Sequence, residues 1–198
     1  MTQIEGETFY GCTGITGVRI PDTITKIGED AFRDCTGLTS ITIPDSVGYL
    51  GGSVFKGCTG ITDVTIPGEY DYFKNINGDI YRSDIFTGCT GITHVKVTGE
   101  GSLVNYEQSS RYATPWMKGS SAGNDVTVEI GEGITATSLS MFSGCTNLVS
   151  ITLPESLTTI NGSAFENCSR LKSIDISENI VYIGTSVFKT VLHWKVKS

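Results

Sequence analysis

Cysteine is the residue type with the most distinctive chemistry in this chain of 198 residues. In a small exported protein, six cysteines would suggest three disulfides, whereas a zinc site would need Cys or His pairs only a few residues apart. The closest cysteines here are 23 residues apart, and every one completes a Phe-x-x-Cys motif. A single repeated position suits a buried thiol, because free cysteine is among the most buried residue types. We therefore predict a stacked row of free thiols, and a disulfide between neighbouring turns stays open at this point. The six residues are Cys12, Cys35, Cys58, Cys89, Cys145 and Cys168.

Groups for acid–base or nucleophilic catalysis are few. The chain has two histidines, His94 and His193, and Cys89 with His94 is the one conceivable nucleophile–base pair. The repeat pattern predicts that this thiol points inward and this imidazole outward. No nucleophile elbow, metalloprotease motif, phosphate-binding loop or dinucleotide fingerprint is present. We expect no enzymatic activity and no cofactor.

Oxygen ligands for a cation occur together in one stretch. Asp71, Asn75, Asn77 and Asp79 alternate there with other residues, but they lack the order of an EF-hand loop and its closing bidentate Glu. The Asn77–Gly78 pair instead predicts a type I′ hairpin turn. We expect no metal site.

Charge and hydropathy exclude two classes of partner. The net charge is −7, from 21 acidic and 14 basic residues, and the densest basic stretch, 189–197, is interleaved with apolar residues. A nucleic-acid-binding protein would carry a basic patch or stripe. No apolar run approaches the roughly 20 residues needed to span a bilayer, so we expect no membrane insertion. The first residues lack the basic and apolar regions of a secretory signal, which fits either a cytosolic protein or a mature chain.

These residues are positioned by a 23-residue repeat. Its markers are Phe9, Phe32 and Phe55, and then Phe142, Phe165 and Phe188. Each unit continues with an apolar-x-apolar pair and usually a Pro, as in Val18, Ile20 and Pro21. Apolar residues two apart predict a short strand with one buried face. Stacked identical turns bury these faces in a continuous core beside a parallel sheet.

Two stretches carry the resemblance to a known family: AFRDCTGLTSITIPDSVGYLGGSVF (31–55) and MFSGCTNLVSITLPESLTTINGSAF (141–165). They resemble the BspA-type leucine-rich repeat of bacterial and protist surface proteins. The resemblance implies a leucine-rich-repeat solenoid, rich in β-structure, with a parallel sheet of short strands and short helical or 3-10 turns. It also implies an extracellular or cell-surface adhesion or binding module, although no signal peptide is visible. It implies no chemistry.

Two interruptions break the repeat within a single predicted domain, 1–198. The first, 68–85, adds eight residues and is predicted to form a β-hairpin insertion. The second, 98–124, is an irregular insertion with a degenerate repeat. Val128, Ile130 and Ile134, which follow it, keep the apolar positions of that degenerate unit. Insertions are where repeat proteins usually add binding surfaces.

The interruptions contain most of the aromatic residues outside the repeat phenylalanines, and Tyr and Trp are favoured at interaction hot spots. The candidate binding residues there are Tyr70, Tyr72, Tyr81, Tyr106, Tyr112 and Trp116. The same rings could instead replace the missing Phe and Cys in the core.

A second candidate surface is the outward face of the strands. The two polar positions beside the apolar pair are mostly small and neutral, as on an ordinary solvated sheet. Asp63, His94 and Lys96 stand out as larger polar groups. They are candidates for a contact patch, and the alternative is that they serve only solubility.

The sequence therefore favours a non-catalytic module that binds an unknown protein or matrix ligand. The alternative is a structural spacer or a self-associating solenoid without a specific ligand. End-to-end association is favoured by the terminal units, because exposed end repeats tend to associate.

Overall fold

A computed structural model describes residues 1–68, 85–103, 124–191 and 195–196 of the chain. Two compact units make up this part of the protein. The first comprises the described residues up to 93 together with residue 124, and the second comprises 94–103 and 125–196. The prediction of one domain over 1–198 stays a prediction.

The described strands of the first unit form parallel ladders from consecutive repeats. Their bounds are β1 Gln3–Ile4, β2 Lys26–Ile27, β3 Ser40–Thr42, β4 Tyr49–Leu50 and β5 Asp63–Pro67. One ladder is the sheet β1-β2-β4. On the other side of each turn, β3 pairs with β5, with Ile41 opposite Val64. The predicted strand at Val18 and Ile20 is not formed, although Ile20 is buried. Gly17 stands here where the later units have Ser40, Asp63 and His94, and glycine weakens a strand because it brings no side chain to pack.

The second unit repeats the arrangement. Its strands are β6 His94–Thr98, β7 Gly101–Ser102, β8 Val126–Ile130, β9 Ile134–Ala136, β10 Leu148–Thr152, β11 Thr159–Ile160, β12 Asp175–Ile176, β13 Tyr182–Ile183 and β14 Lys195–Val196. The order β6-β8-β10 gives one parallel sheet, β7-β9-β11-β13 gives a second, and β12 pairs with β14. The degenerate unit therefore supplies β8 and β9, as its retained apolar positions predicted.

The core of each unit is a stack of phenylalanine rings. In the first unit, Phe32 and Phe55 lie with ring centroids 5.4 Å apart and an interplanar angle of 13°. In the second, Phe142 and Phe165 are 5.5 Å apart at 3°. All four rings are fully buried. Face-to-face stacking is a weaker ring geometry than an offset or edge-on one, so this parallel stack reflects the identical stacking of successive turns.

The predicted helical or 3-10 turns are isolated hydrogen-bonded turns in the described residues. The Phe32 turn shows why. Asp30 and Asp34, on either side of the ring, have φ of +55° and +58°, and these left-handed residues interrupt a right-handed helix. Alternate N–H groups point to the next turn instead: Asp30 donates to the Gly52 carbonyl at 3.0 Å and Phe32 to that of Val54 at 2.9 Å.

The thiols form the predicted buried row. All six cysteines are free, and all except the half-buried Cys12 are buried. Cys35, Cys58, Cys89 and Cys168 each donate to the carbonyl of the preceding turn's phenylalanine. The distances are 3.0 Å from Cys35 to Phe9, 3.0 Å from Cys58 to Phe32, 2.9 Å from Cys89 to Phe55 and 3.1 Å from Cys168 to Phe142. No disulfide joins these cysteines. The disulfide between neighbouring turns that the sequence left open is therefore not formed.

Candidate functional site

The outward side of the β6–β8 ladder carries four polar side chains that meet in pairs. Strand alternation buries Val95 and Val128 on one side and turns His94, Lys96, Thr127 and Glu129 to the other. The register places His94 opposite Thr127 and Lys96 opposite Glu129. We refer to these four side chains as the β6–β8 polar face.

The first pair is joined by a hydrogen bond. Nδ1 of His94 lies 2.9 Å from Oγ1 of Thr127, and both residues are half-buried. This contact engages one ring nitrogen with the neighbouring strand and fixes the orientation of the imidazole.

The second pair is ionic. Nζ of Lys96 lies 2.6 Å from Oε1 of Glu129, and the two side chains are 42% and 40% exposed. An exposed ion pair contributes only about 0–1 kcal/mol to stability. Both charges therefore remain accessible to a partner that could exchange hydrogen bonds with them.

The face continues onto β10 with smaller groups. Ser150 is opposite Thr127, Thr152 is opposite Glu129, and both β10 residues are exposed. The whole surface therefore offers hydroxyls, an imidazole and one balanced ion pair. Such groups can bind a polar surface.

Asp63, the third predicted residue of the patch, belongs to the first unit. Its side chain is exposed on β5, and Oδ2 accepts a hydrogen bond of 2.5 Å from the hydroxyl of Thr62. Within the second unit, the structure brings the predicted residues His94 and Lys96 together on one strand.

Thr127 and Glu129 were not among the site residues predicted from the sequence. They occupy the same alternating positions around Val128 that His94 and Lys96 occupy around Val95. That alternation was the available signal. It was obscured because the unit lacks the Phe-x-x-Cys motif that marks the other repeats.

The six aromatic candidates fall outside the described residues, as does the predicted hairpin turn at Asn77 and Gly78. They are Tyr70, Tyr72, Tyr81, Tyr106, Tyr112 and Trp116. Their assignment to a binding surface stays a prediction.

The buried thiols are poorly suited to reaction. Burial raises the pKa of the Cys35 thiol to about 11. Burial also raises the pKa of the Cys168 thiol. The pKa of the Cys58 thiol is raised mainly by its hydrogen bond with the Cys89 thiol and secondly by burial. The thiolate is the reactive form, so these groups are held in their unreactive state at neutral pH.

Within the described part of the chain, no three His, Cys, Asp or Glu residues are grouped so that they could hold a metal ion. The same residues include no helix with the length and apolar character needed to cross a membrane.

Comparison with known proteins gave one family and several solved structures. The family model described as "BspA type Leucine rich repeat region" matches residues 2–110 and 121–195 in six copies. A leucine-rich repeat protein from Bacteroides ovatus is 20% identical with a TM-score of 0.52; the match covers 100% of this chain and 52% of that protein. A leucine rich cell surface protein from Faecalibacterium prausnitzii is 28% identical with a TM-score of 0.42, over 100% of this chain and 43% of that protein. The chain thus spans about half the length of these two proteins. No curated protein sequence matches it.

Proposed function

Because the chain belongs to the BspA-type leucine-rich-repeat family, we propose that it acts as a non-catalytic protein-binding module of an exported or cell-surface protein. The β6–β8 polar face is proposed as part of its contact surface. The ligand class proposed is a protein, with extracellular-matrix proteins as the first candidates.

The observation that carries this proposal is the exposed ion pair between Lys96 and Glu129 beside the pair of His94 and Thr127. Elsewhere the outward strand positions are mostly small and neutral, as at Ser40, Thr42 and Ser150. Exposed pairs add little to stability, so folding alone gives little reason for larger charged groups here. Opposite charges arranged on a surface favour an oriented and selective protein contact.

The aromatic candidates would complement this face. Polar contacts contribute orientation and selectivity, whereas buried Tyr and Trp anchors contribute most of the binding energy at protein interfaces. Under this proposal, Tyr70, Tyr72, Tyr81, Tyr106, Tyr112 and Trp116 supply the anchors in the two interruptions.

A charge-reversal series tests the polar face. Lys96→Glu breaks the ion pair and places two carboxylates together, and Lys96→Glu/Glu129→Lys restores an ion pair with the charges exchanged. Binding to a panel of immobilised extracellular-matrix proteins would be measured by surface plasmon resonance. Lys26→Glu, on β2 of the first unit, serves as the matched control.

We expect the wild-type protein and the Lys26→Glu control to bind. The single and the double variant should both bind about tenfold or more weakly, because the partner meets reversed charges. Full recovery of binding in the double variant would give the pair a structural role only. Unchanged binding in both variants would remove this face from the contact surface, and absence of wild-type binding would refute the choice of matrix proteins.

A further inference from the structure

The degenerate unit enters its strand one residue out of step with the next repeat. Where that repeat has the buried Leu148, the 23-residue period places Asp125, which is exposed. Val126, one residue later, is fully buried and lies opposite Leu148 in the register. A charged group without a partner cannot replace a buried leucine, so the chain advances by one residue here. The degenerate unit therefore has one outward residue fewer than its neighbour at the start of the strand.

This displacement leaves an unmatched residue on β10. Leu148 pairs with Val126 and Ser150 pairs with Thr127, so the register shifts at Val149. A bulge of this kind sets two residues against one and changes the alternation of the strand. Val149 is half-buried and Ser150 is exposed, whereas Leu148 before them is buried. Val149 is thus left on the outward side, directly before a residue that extends the β6–β8 polar face.

In the first unit, threonine fills the repeat position of Val149. The hydroxyls of Thr39 and Thr62 donate to main-chain carbonyls of the preceding turn, those of Thr16 and Thr39, at 3.1 and 3.2 Å. Valine has nearly the same shape as threonine but cannot donate such a bond. Both residues are β-branched and suit a strand, so strand propensity does not explain the exchange. An apolar side chain at this outward position therefore calls for a different reason.

Two exposed ion pairs flank Val149. Asp125 directly precedes β8 and pairs with Arg170, and these side chains are 58% and 44% exposed. The second pair is that of Lys96 and Glu129. Asp125 and Glu129 are four residues apart, or about 13 Å at 3.3 Å per residue, and the register places Val149 between their levels. The surface therefore presents an aliphatic side chain between two pairs of opposite charges.

We infer that Val149 is an apolar contact of the binding surface and selects a protein partner that presents an aliphatic side chain flanked by charges of both signs. This inference rests on the proposed function. Exposed ion pairs orient a partner but add little energy. An apolar side chain that leaves water on binding contributes in proportion to its buried area. Val149 supplies, within the described surface, the apolar contact that the β6–β8 polar face lacks.

Val149→Thr tests the apolar contact. Threonine fills the same position in other turns, so the variant should fold as the wild type does. At an interface it would place a hydroxyl against an apolar group of the partner, which weakens binding. Val149→Ile keeps the apolar character. Val181→Thr is the matched control, because it makes the same exchange at a valine that is 85% exposed and directly precedes β13 in the other sheet.

Binding of the wild type and the three variants to the panel of immobilised extracellular-matrix proteins would be measured by surface plasmon resonance. Folding would be compared by urea midpoints. We expect Val149→Thr to bind about tenfold more weakly. Val181→Thr should keep the wild-type affinity, and Val149→Ile should keep most of it.

The outcomes separate this inference from the proposed function. Equal binding by Val149→Thr and the wild type, where Lys96→Glu loses binding, would overturn this inference alone. A loss of binding that comes with a lower urea midpoint would also overturn it, because Val149 would then serve folding. Absence of wild-type binding would overturn the proposed function and the inference together.

Discussion

Close stacking of turns at Gly91 leads to a sharp prediction about stability. In Gly91→Ala, the new Cβ would lie 2.5 Å from the carbonyl oxygen of Thr59 and 2.8 Å from that of Ile61. Both oxygens belong to the backbone, so no side-chain rotation can relieve the contact. Two neighbouring turns would have to separate locally.

The magnitude follows from these distances. Carbon–oxygen contacts become comfortable at about 3.3 Å, so the closer contact is too short by about 0.8 Å. Overpacking of this kind costs about 1–3 kcal/mol. Replacement of Gly by Ala also restricts the unfolded chain, which offsets about 0.4–1 kcal/mol of that cost. We therefore expect Gly91→Ala to lower the free energy of unfolding by about 1–2 kcal/mol.

Gly14→Ala is the matched control. It occupies the same repeat position without a neighbouring atom within 4 Å, so it should be neutral or raise the free energy of unfolding by up to about 1 kcal/mol. Urea denaturation followed by circular dichroism would compare the midpoints.

A comparison of the two variants decides the argument. Equal midpoints for Gly91→Ala and Gly14→Ala would refute the idea that glycine is needed at this position for close approach of the turns. A common loss in both variants would instead indicate an intrinsic backbone requirement. Midpoints are the appropriate measure because repeat proteins can unfold in several steps.

Two further predictions concern the thiols. In the native protein, a thiol reagent should readily modify only Cys12, because the other five cysteines are buried. After denaturation without reductant, it should modify all six thiols. Fewer than six modified thiols after denaturation would indicate disulfides. The pKa of Cys35 is raised to about 11 from an ordinary value of 9.0, so the folded protein keeps a proton that the unfolded chain loses first. The free energy of unfolding should therefore fall as the pH rises from about 9 to 11, and less steeply in Cys35→Ala. The same slope in both proteins, from urea midpoints across this range, would contradict that role.

Much of the fold could be predicted from spacing alone. The residues that complete the 23-residue pattern are buried where the pattern requires, including Phe55, Cys58 and Ile61. The outward positions of His94 and Lys96 were also predictable, because strand side chains alternate between two faces. Repetition supports these predictions, because the same apolar and polar positions recur in each turn.

The shape of the phenylalanine turns could not be predicted from residue type. Their left-handed residues include Asp30, Ser53 and Asn167 as well as glycines such as Gly57. Polar residues can adopt this conformation but do not require it. The deciding factor is the set of hydrogen bonds to the next turn, which exists only once the turns are stacked.

The pairing within the β6–β8 polar face also could not be predicted from the 23-residue period. Thr127 and Glu129 lie 33 residues after His94 and Lys96, whereas regular neighbours are separated by 23. The longer connection conceals the register, and hydrogen bonding between β6 and β8 fixes it.

The sequence by itself determined the repeat, the buried and outward positions, and the family to which the chain belongs, because these depend on side-chain periodicity. Only the tertiary structure decided how the thiols are satisfied, which turns need glycine and which polar groups meet on the β6–β8 polar face. Each of these depends on distances between atoms of different turns, and those distances are set when the turns stack.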